Sequence, residues 1–153
     1  MTGNCFVDTN VLIYFRDASD TQKQEKAATW LAVLWKERSG RLSFQVLNEY
    51  YAAVTQRLRP GLDRETAQAD VRDLLAWRPI ETSGAVLEGA WRIQDRYRYS
   101  WRDALILSAA QYANCSCLLT EGLQHGQVIG NLVILNPFLI TPDEFKSLAP
   151  AAS

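Results

Sequence analysis

Residues 4–15 read Asn-Cys-Phe-Val-Asp-Thr-Asn-Val-Leu-Ile-Tyr-Phe, an apolar run that Asp8 interrupts and Val11 resumes. Residues 4–7 have the length and composition of a buried strand. Asp is common in the turns that follow strands, and residues 11–15 fit a short apolar helix. We therefore predict a strand, a tight turn and a helix, which is the first unit of an alternating α/β chain.

The rest of the chain alternates in the same way between helical periodicity and short apolar runs. Gly40 is expected to end the first long helix as a left-handed residue, and Asp63 to begin a later one. Thr141-Pro142-Asp143-Glu144 has the form of a capping box. Helices are predicted over residues 21–38, 45–58, 63–77, 85–96 and 101–113. Strands are predicted over residues 42–44, 79–81, 117–120 and 132–135. This alternation favours a mainly parallel sheet with helices on both faces.

The bulk composition is that of one globular domain. The chain has 153 residues, with no internal repeat and no linker long enough to divide it. We predict a single domain over residues 1–145 and a flexible tail over residues 146–153. No apolar stretch is long enough to span a membrane, and Asp8 breaks the first apolar run, so no signal peptide is expected.

Three cysteines, Cys5, Cys115 and Cys117, form no metal-like pattern. Cys5 and Cys117 lie in predicted strands, where a cysteine behaves as a small hydrophobic residue. Cys115-x-Cys117 without a second pair is weak support for zinc. We expect no disulfide framework, which fits a reducing cytoplasm.

Acidic side chains are predicted to meet at the carboxyl edge of the sheet, where α/β folds bind ligands. Asp8 follows the first strand, and Thr120-Glu121 follows the strand at 117–120. Asp103 opens the helix that leads into that strand. Glu49 lies on a helix face whose other residues are apolar, which is costly for an unpaired carboxylate.

Converging carboxylates repel one another, and a divalent cation relieves that repulsion. Oxygen ligands favour Mg²⁺ or Mn²⁺, and such a metal can activate water for attack on a phosphodiester. His125 is the only histidine, so a mechanism with two imidazoles is excluded. Each acid also has a structural alternative: Asp8 as a turn residue, Glu49 as a surface acid, and Asp103 as part of the helix cap Ser100-Trp101-Arg102-Asp103.

Basic residues are concentrated shortly before Asp103, although the net charge of the chain is −1. The cluster consists of Arg92, Arg96, Arg98 and Arg102. Arginine suits phosphate because its planar fork donates paired hydrogen bonds. Arg96, Arg98 and Arg102 are therefore candidates for RNA binding, while a solvated helix face remains the alternative.

Four segments resemble the sequence motifs of PIN domains, in the same order. They are Val7-Asp8-Thr9-Asn10-Val11-Leu12-Ile13-Tyr14, Gln45-Val46-Leu47-Asn48-Glu49-Tyr50-Tyr51, Trp101-Arg102-Asp103-Ala104-Leu105-Ile106 and Leu118-Leu119-Thr120-Glu121-Gly122. The resemblance implies a three-layer α/β/α sandwich and RNA cleavage with Mg²⁺ or Mn²⁺. It also implies that Asp8, Glu49 and Asp103 bind the metal, with Thr120 and Asn10 as accompanying polar residues.

Small single-domain members of that family resemble VapC-type toxins of bacterial toxin–antitoxin pairs. This resemblance implies an RNA substrate, a small antitoxin partner, a homodimer and a location in the cytoplasm. Aromatic residues at helical spacing are candidates for the antitoxin groove or the dimer contact, with burial in the core as the stronger expectation. These aromatic residues are Trp30, Trp35, Tyr50, Tyr51 and Trp91.

One position departs from the family pattern. The fourth motif usually carries an acid where this chain has Gly122. We therefore expect a weakened second metal position and reduced activity, unless Glu121 is the family acid. Two other functions stay open: an impaired PIN fold that only binds RNA or antitoxin, and, ranked last, a nuclease for branched DNA.

Overall fold

The computed structural model describes residues 3–148, which form five strands and seven α-helices. The strands are β1 (Cys5–Val7), β2 (Gly40–Arg41), β3 (Cys117–Leu119), β4 (Val128–Ile129) and β5 (Leu132–Leu135). The helices are α1 (Thr9–Arg16), α2 (Thr21–Glu37), α3 (Phe44–Gln56), α4 (Arg64–Leu74), α5 (Gly84–Tyr97), α6 (Trp101–Tyr112) and α7 (Pro142–Leu148).

The strands form one sheet in the order β2-β1-β3-β5-β4. All neighbouring strands are parallel except β4 and β5, which pair antiparallel. Every residue of β1 and β3 is buried, and successive side chains point to opposite faces of a sheet. Helices therefore cover both faces, and the predicted α/β/α architecture around a mainly parallel sheet is confirmed.

The first unit forms as its sequence predicts. Asp8 follows β1 in an extended conformation, and its side chain accepts a hydrogen bond from the amide of Thr9. This bond satisfies a free amide at the start of α1. Val11 and Leu12 on α1 are buried against the core. The carboxylate of Asp8 is thus fixed at the carboxyl edge of the sheet.

The prediction for Gly40 was wrong. The left-handed residue that ends α2 is Arg38, with φ 55°, and Gly40 begins β2 instead. A Cβ atom on Gly40 would lie 2.6 Å from the ring of Trp77, so this glycine is needed for a close approach. The strand predicted at 42–44 lies too late in the chain, and the one at 79–81 is reduced to a single bridge between Ser43 and Ile80.

The expectation of no disulfide framework needs a correction, because the structure contains one disulfide. Cys5 and Cys117 are joined by a disulfide, while Cys115 is free and buried. The parallel register places Cys5 directly opposite Cys117, with Cα atoms 4.8 Å apart. Spacing along the chain carries no sign of this pair because 112 residues separate the two cysteines. Burial raises the pKa of Cys115 to about 12, which keeps its thiol protonated.

The predicted capping box at the last helix is confirmed. The amide of Thr141 donates to the carboxylate of Glu144, and the amide of Glu144 donates to the hydroxyl of Thr141. Residues 146–148 of the predicted tail belong to α7, which continues to Leu148, and Lys146 forms an ion pair with Glu37. The rest of the predicted tail, residues 149–153, lies outside the described residues.

The aromatic candidates divide between core and surface. Trp30 and Tyr50 are buried and Tyr51 is half-buried, whereas Trp35 and Trp91 are exposed. Across residues 3–148, no helix combines the length and the apolar character needed to cross a membrane.

Candidate active site

Two polar residues stand at the carboxyl ends of adjacent parallel strands. Asp8 follows β1 and Thr120 follows β3, and both side chains are buried. The hydroxyl of Thr120 donates to Asp8 Oδ2 at 2.9 Å, and the amide of Thr9 donates to Asp8 Oδ1 at 2.7 Å. Asn10 adds an amide hydrogen bond to Thr120 at 3.0 Å. The carboxylate of Asp8 is therefore held in one orientation.

Glu49 reaches the same place from helix α3. Its Oε1 atom accepts a hydrogen bond from the hydroxyl of Thr9 at 2.7 Å. Gln45 lies one turn earlier on α3, and its amide contacts Glu49 Oε2 at 3.4 Å. Glu49 is thus directed toward Asp8 and is not a free surface acid.

Asp103 enters from the first turn of helix α6. The predicted cap at Ser100 is present, because Ser100 Oγ accepts from the backbone amide of Asp103 at 3.1 Å. This bond uses only the backbone of Asp103. The carboxylate instead accepts from Arg102 Nη1 at 3.1 Å. The backbone of Asp103 therefore takes part in the helix cap, while its carboxylate belongs to the acidic group. The cap explains only the backbone contact.

A single guanidinium joins the three acids, which we call the acid cluster (Asp8, Glu49 and Asp103). Arg102 Nη2 lies 2.7 Å from Asp8 Oδ1 and 2.7 Å from Glu49 Oε1, and Nη1 lies 3.1 Å from Asp103 Oδ1. Nε adds a bond to Glu49 Oε2 at 3.2 Å. Arg102 was a candidate for RNA binding, and in the structure its guanidinium is bound to all three acids.

Glu49 and Arg102 stabilise each other's charged form. Burial by itself would raise the pKa of Glu49, but hydrogen bonds from Arg102 and Thr9 outweigh it and hold that pKa below its ordinary value. Burial works against the charge of Arg102, and the bonds to Asp8 and Glu49 raise its pKa despite that burial. Glu49 and Arg102 are therefore both charged at neutral pH.

The donor set has the chemistry of a site for a hard cation. Asp8, Glu49 and Asp103 offer carboxylate oxygens, the ligands that Mg²⁺ and Mn²⁺ prefer. Arg102 stands in for such a cation, because it already binds one oxygen or more of each acid. Within residues 3–148 no group of three or more acids, histidines or cysteines is placed to hold a metal ion. The carboxylates are of the ligand type that suits a divalent cation, and in this structure Arg102 is bound to all three.

The fourth motif supplies no acid to the cluster. Glu121 forms an ion pair with Lys23 at 2.7 Å and so does not replace a missing carboxylate. The amide of Gly122 donates to Thr120 Oγ1 at 3.0 Å. A Cβ atom on Gly122 would lie 3.6 Å from Thr120 Oγ1 and 3.9 Å from Asn10 Nδ2, which are ordinary contacts. The backbone thus leaves room for an acid beside Asn10.

The other predicted RNA-binding residues do not join the cluster. Arg96 and Arg98 are exposed at the end of α5, where Arg98 ends the helix with φ 59°. Sequence reasoning missed Thr9 and Gln45 as cluster neighbours. The spacing of four residues between Gln45 and Glu49 was a usable signal, because such residues share a helix face.

The comparisons with known proteins agree with this geometry. A sequence model of the family described as "PIN domain" matches residues 5–128. The chain belongs to the PIN-domain family. PIN-domain proteins are nucleases, and the matched span contains the whole acid cluster together with the fourth motif. No curated protein matches the chain.

Three solved structures share the PIN fold of this chain at low sequence identity. The first, described as a toxin–antitoxin complex from Klebsiella pneumoniae, has 18% identity and a TM-score of 0.61, with 88% of this chain and 98% of that chain covered. VapBC2 from Rickettsia felis, bound to a DNA fragment from its promoter, has 19% identity and a TM-score of 0.57, with coverages of 85% and 96%. VapC20 from Mycobacterium tuberculosis, described as a Sarcin-Ricin loop cleaving toxin, has 22% identity and a TM-score of 0.57, with coverages of 75% and 87%. These likenesses show the fold.

Proposed function

We propose that this PIN-domain protein is a metal-dependent endoribonuclease, the toxin of a toxin–antitoxin pair, and that Arg102 occupies its acid cluster until a divalent cation replaces it. The observation that carries this proposal is the convergence of Asp8, Glu49 and Asp103 on one cationic group at the carboxyl edge of the sheet. A place that stabilises a cation among three carboxylates suits metal-assisted hydrolysis of a phosphodiester.

Asp8, Glu49 and Asp103 would hold Mg²⁺ or Mn²⁺. The metal would supply a water of lowered pKa and a charge to bind the phosphate oxygens. The chain itself orients the acids: the amide of Thr9 and the hydroxyl of Thr120 fix Asp8, and the hydroxyl of Thr9 fixes Glu49. Displaced from the acids, Arg102 is free to bind a phosphate of the RNA, as predicted from the sequence.

The proposed partners follow from the family and the structural neighbours. The Klebsiella and Rickettsia structures are described as toxin–antitoxin assemblies, which supports a small antitoxin for this chain. The Mycobacterium protein is described as cleaving the Sarcin-Ricin loop, which supports an RNA substrate. A homodimer and a location in the cytoplasm stay predictions.

The second candidate function is an RNA- or antitoxin-binding module that does not cleave RNA, and Gly122 is the one observation that favours it. With three acids and a permanently bound Arg102, the fold would bind RNA or antitoxin without cutting. Calorimetric titration with Mn²⁺ separates the two functions, because a pure binding module has no need for metal affinity. Heat of binding that disappears in Asp8→Asn supports the nuclease, and the absence of any metal binding supports the binding module.

Cleavage of total RNA by the purified chain tests the proposed activity. We expect cleavage with Mg²⁺ or Mn²⁺, none with EDTA, and loss of cleavage in Asp8→Asn. Asp73→Asn is the matched control, because Asp73 is an exposed acid on α4 outside the cluster. Cleavage by Asp8→Asn at the rate of the unaltered chain would contradict the assignment. Equal cleavage of single-stranded DNA would favour the DNA nuclease instead.

A further inference from the structure

A lysine from helix α2 contacts the loop that follows β3. Lys23 Nζ lies 2.7 Å from Glu121 Oε2, and it also lies 4.6 Å from the ring centroid of Tyr14 and 5.2 Å from that of Phe138. These two rings contact each other edge to face, with centroids 5.2 Å apart. We call this group the lysine clamp (Lys23, Glu121, Tyr14 and Phe138). It joins α1, α2, the loop after β3 and the loop after β5.

The packing of α2 does not require the lysine clamp. Helix α2 is buried through an apolar stripe that includes Trp30 and Leu34, whereas Lys23 lies in the first turn, where its amide donates to the cap residue Asp20. An isolated surface ion pair contributes only about 0.2–1 kcal/mol. The ammonium of Lys23 is held more firmly, because each aromatic ring also attracts the cation. The clamp therefore fixes the side chain of Glu121 without contributing to the core.

A continuous set of hydrogen bonds connects Glu121 with Asp8. The backbone amide of Glu121 donates to Asn10 Oδ1 at 3.3 Å. The side-chain amide of Asn10 contacts Asp8 Oδ2 at 3.4 Å and donates to Thr120 Oγ1 at 3.0 Å. Thr120 Oγ1 also accepts from the amide of Gly122 at 3.0 Å. Both lone pairs of this hydroxyl are then used, so its proton is directed to Asp8 Oδ2.

Thr120 and Glu121 are adjacent residues whose side chains contact opposite sides of the site. The amide of Thr120 still pairs with the carbonyl of Leu135, so the backbone here continues the strand, where neighbouring side chains point to opposite sides. Thr120 contacts Asp8, and Glu121 contacts Lys23. A rotation of this segment would displace both side chains together. Holding the carboxylate of Glu121 therefore also holds the hydroxyl of Thr120.

We propose that Lys23 is a positioning residue of the candidate active site: by holding Glu121, it fixes Asn10 and Thr120 around Asp8 and keeps that carboxylate oriented for the metal. The inference rests on the proposed function, because a metal bound by Asp8 is part of that function. Hydrogen bonds to a metal ligand orient it, and their removal typically weakens metal affinity about 10–100-fold. Lys23 acts one contact further from the ligand, so the expected loss is about tenfold.

The sign of the effect on metal affinity separates positioning from simple electrostatics. Removing the positive charge of Lys23 near three carboxylates should by itself tighten the binding of a cation. If Lys23 positions Asp8, its removal should instead weaken that binding. Lys23→Met is the suitable variant, because the flexible methionine side chain still packs on the rings of Tyr14 and Phe138.

Calorimetric titration of the full chain with Mn²⁺ measures the effect. Lys23→Met and Glu121→Gln should each weaken the affinity about tenfold, and the double variant no further, because both changes remove the same contact. Lys23→Arg should retain most of the affinity, because arginine still pairs with the carboxylate of Glu121. Lys36→Met is the matched control and should leave the affinity unchanged, since Lys36 is an exposed lysine near the other end of α2.

Amide hydrogen exchange measures the lysine clamp without metal. In EDTA, the backbone amide of Glu121 should exchange faster in Lys23→Met than in the unaltered chain, because the loop opens more often. Amides in the middle of α2 should keep their exchange rates, which checks that the variant is folded. Where RNA is cleaved, Lys23→Met should lower kcat and leave KM unchanged, because the clamp orients the site and does not bind the substrate.

Three results would overturn the positioning role of Lys23. Unchanged or tighter Mn²⁺ binding in Lys23→Met would leave only the electrostatic effect of its charge. Unchanged exchange of the Glu121 amide would show that the clamp does not hold the loop. A raised KM with unchanged kcat would assign Lys23 to RNA binding. The proposed function fails separately: if the unaltered chain binds no Mn²⁺, faster exchange of the Glu121 amide in Lys23→Met still shows that Lys23 positions this loop.

Discussion

Arg102 places a single positive charge where a divalent cation would carry two. The side chain of Arg102 is 38% exposed, whereas that of Asp8 is 1% exposed, so solvent can reach the arginine but not the acid. Asp8 also keeps hydrogen bonds from Thr9 and Thr120 when Arg102 leaves. Under the proposed function, exchange of the arginine for a metal would leave the carboxylate of Asp8 held in place by Thr9 and Thr120.

Arg102→Ala should make the chain less stable without metal and more responsive to it. Loss of the guanidinium leaves three carboxylates to repel one another, which we expect to cost about 1–3 kcal/mol in unfolding free energy. Mn²⁺ should then raise the melting temperature more than it does for the unaltered chain, because it no longer competes with Arg102. Thermal melts with and without Mn²⁺ measure both effects. Arg98→Ala is the control, and an equal metal response in both variants would show that Arg102 does not compete.

Gly122→Asp should strengthen metal binding and RNA cleavage. The backbone accepts a Cβ atom there without a clash, and the new carboxylate would lie beside Asn10 and Thr120. Gly84→Asp is the matched control, because it adds an acid on α5 where no atom lies within 4 Å of the Cβ position. We expect calorimetry to show tighter Mn²⁺ binding only for Gly122→Asp. Equal metal affinity and equal cleavage for Gly122→Asp and the unaltered chain would make Gly122 incidental.

At the scale of elements, helix α6 carries Arg102 and Asp103 in its first turn and packs against α5. The two helices approach closely at Gly89, where a Cβ atom would overlap the hydroxyl of Ser108. That hydroxyl donates to the carbonyl of Val86 at 2.7 Å, so it has little freedom to move. The close contact sets the distance between the helices and thereby the position of the residues at their ends.

Gly89→Ala should destabilise the chain, although alanine favours helix formation by about 1 kcal/mol over glycine. Overpacking against Ser108 should cost about 1–3 kcal/mol. Adding Ser108→Ala should recover part of that loss, because it removes the overlapping hydroxyl. Denaturant unfolding of the single and double variants measures the coupling. Gly84→Ala, in open space on the same helix, should not destabilise; if Gly89→Ala behaves like it, the helices do not approach as closely as the structure shows.

At the scale of the whole molecule, the net charge of −1 provides no general attraction for RNA. RNA binding, as proposed, would need a local surface, and the exposed arginines Arg92, Arg96 and Arg98 are the candidates for it. The acid cluster would repel a phosphate unless a cation neutralises it. Substrate binding and metal binding are thus expected to favour each other.

The salt dependence of binding to single-stranded RNA should therefore be shallow, and it should depend on these three arginines. With three arginines on phosphates, log Kd should rise with log salt with a slope of about 2, since each contact contributes about 0.7. Arg96→Ala should lower the slope by about 0.7. Arg64→Ala, an exposed arginine on α4, should leave the slope unchanged. A steep slope that is equal in both variants would point to diffuse attraction instead of this surface.

The linear sequence was sufficient for the features that depend on neighbours along the chain. Strand β1, the Asp8 turn and α1 follow from the apolar pattern of residues 4–15, and the cap at Thr141 follows from local hydrogen bonding. Asp8 could be placed at the edge of the sheet because it follows a strand, whereas Glu49 was identified from the apolar face of its helix and Asp103 from its place at the start of a helix. The boundaries of short strands were predicted less accurately: β2 was predicted over residues 42–44 and lies at Gly40–Arg41.

Tertiary structure decided everything that joins distant segments. The disulfide between Cys5 and Cys117 depends on strand register, and Gly40 is required by the ring of Trp77 from another part of the chain. The direction of the Arg102 side chain depends on Asp8, which follows β1, and on Glu49, which lies on α3. The charges along α6 alone do not predict this direction. Local preferences set the elements, because they involve a few bonds along the chain. The site and its state arise only when packing brings separate charges within hydrogen-bonding distance.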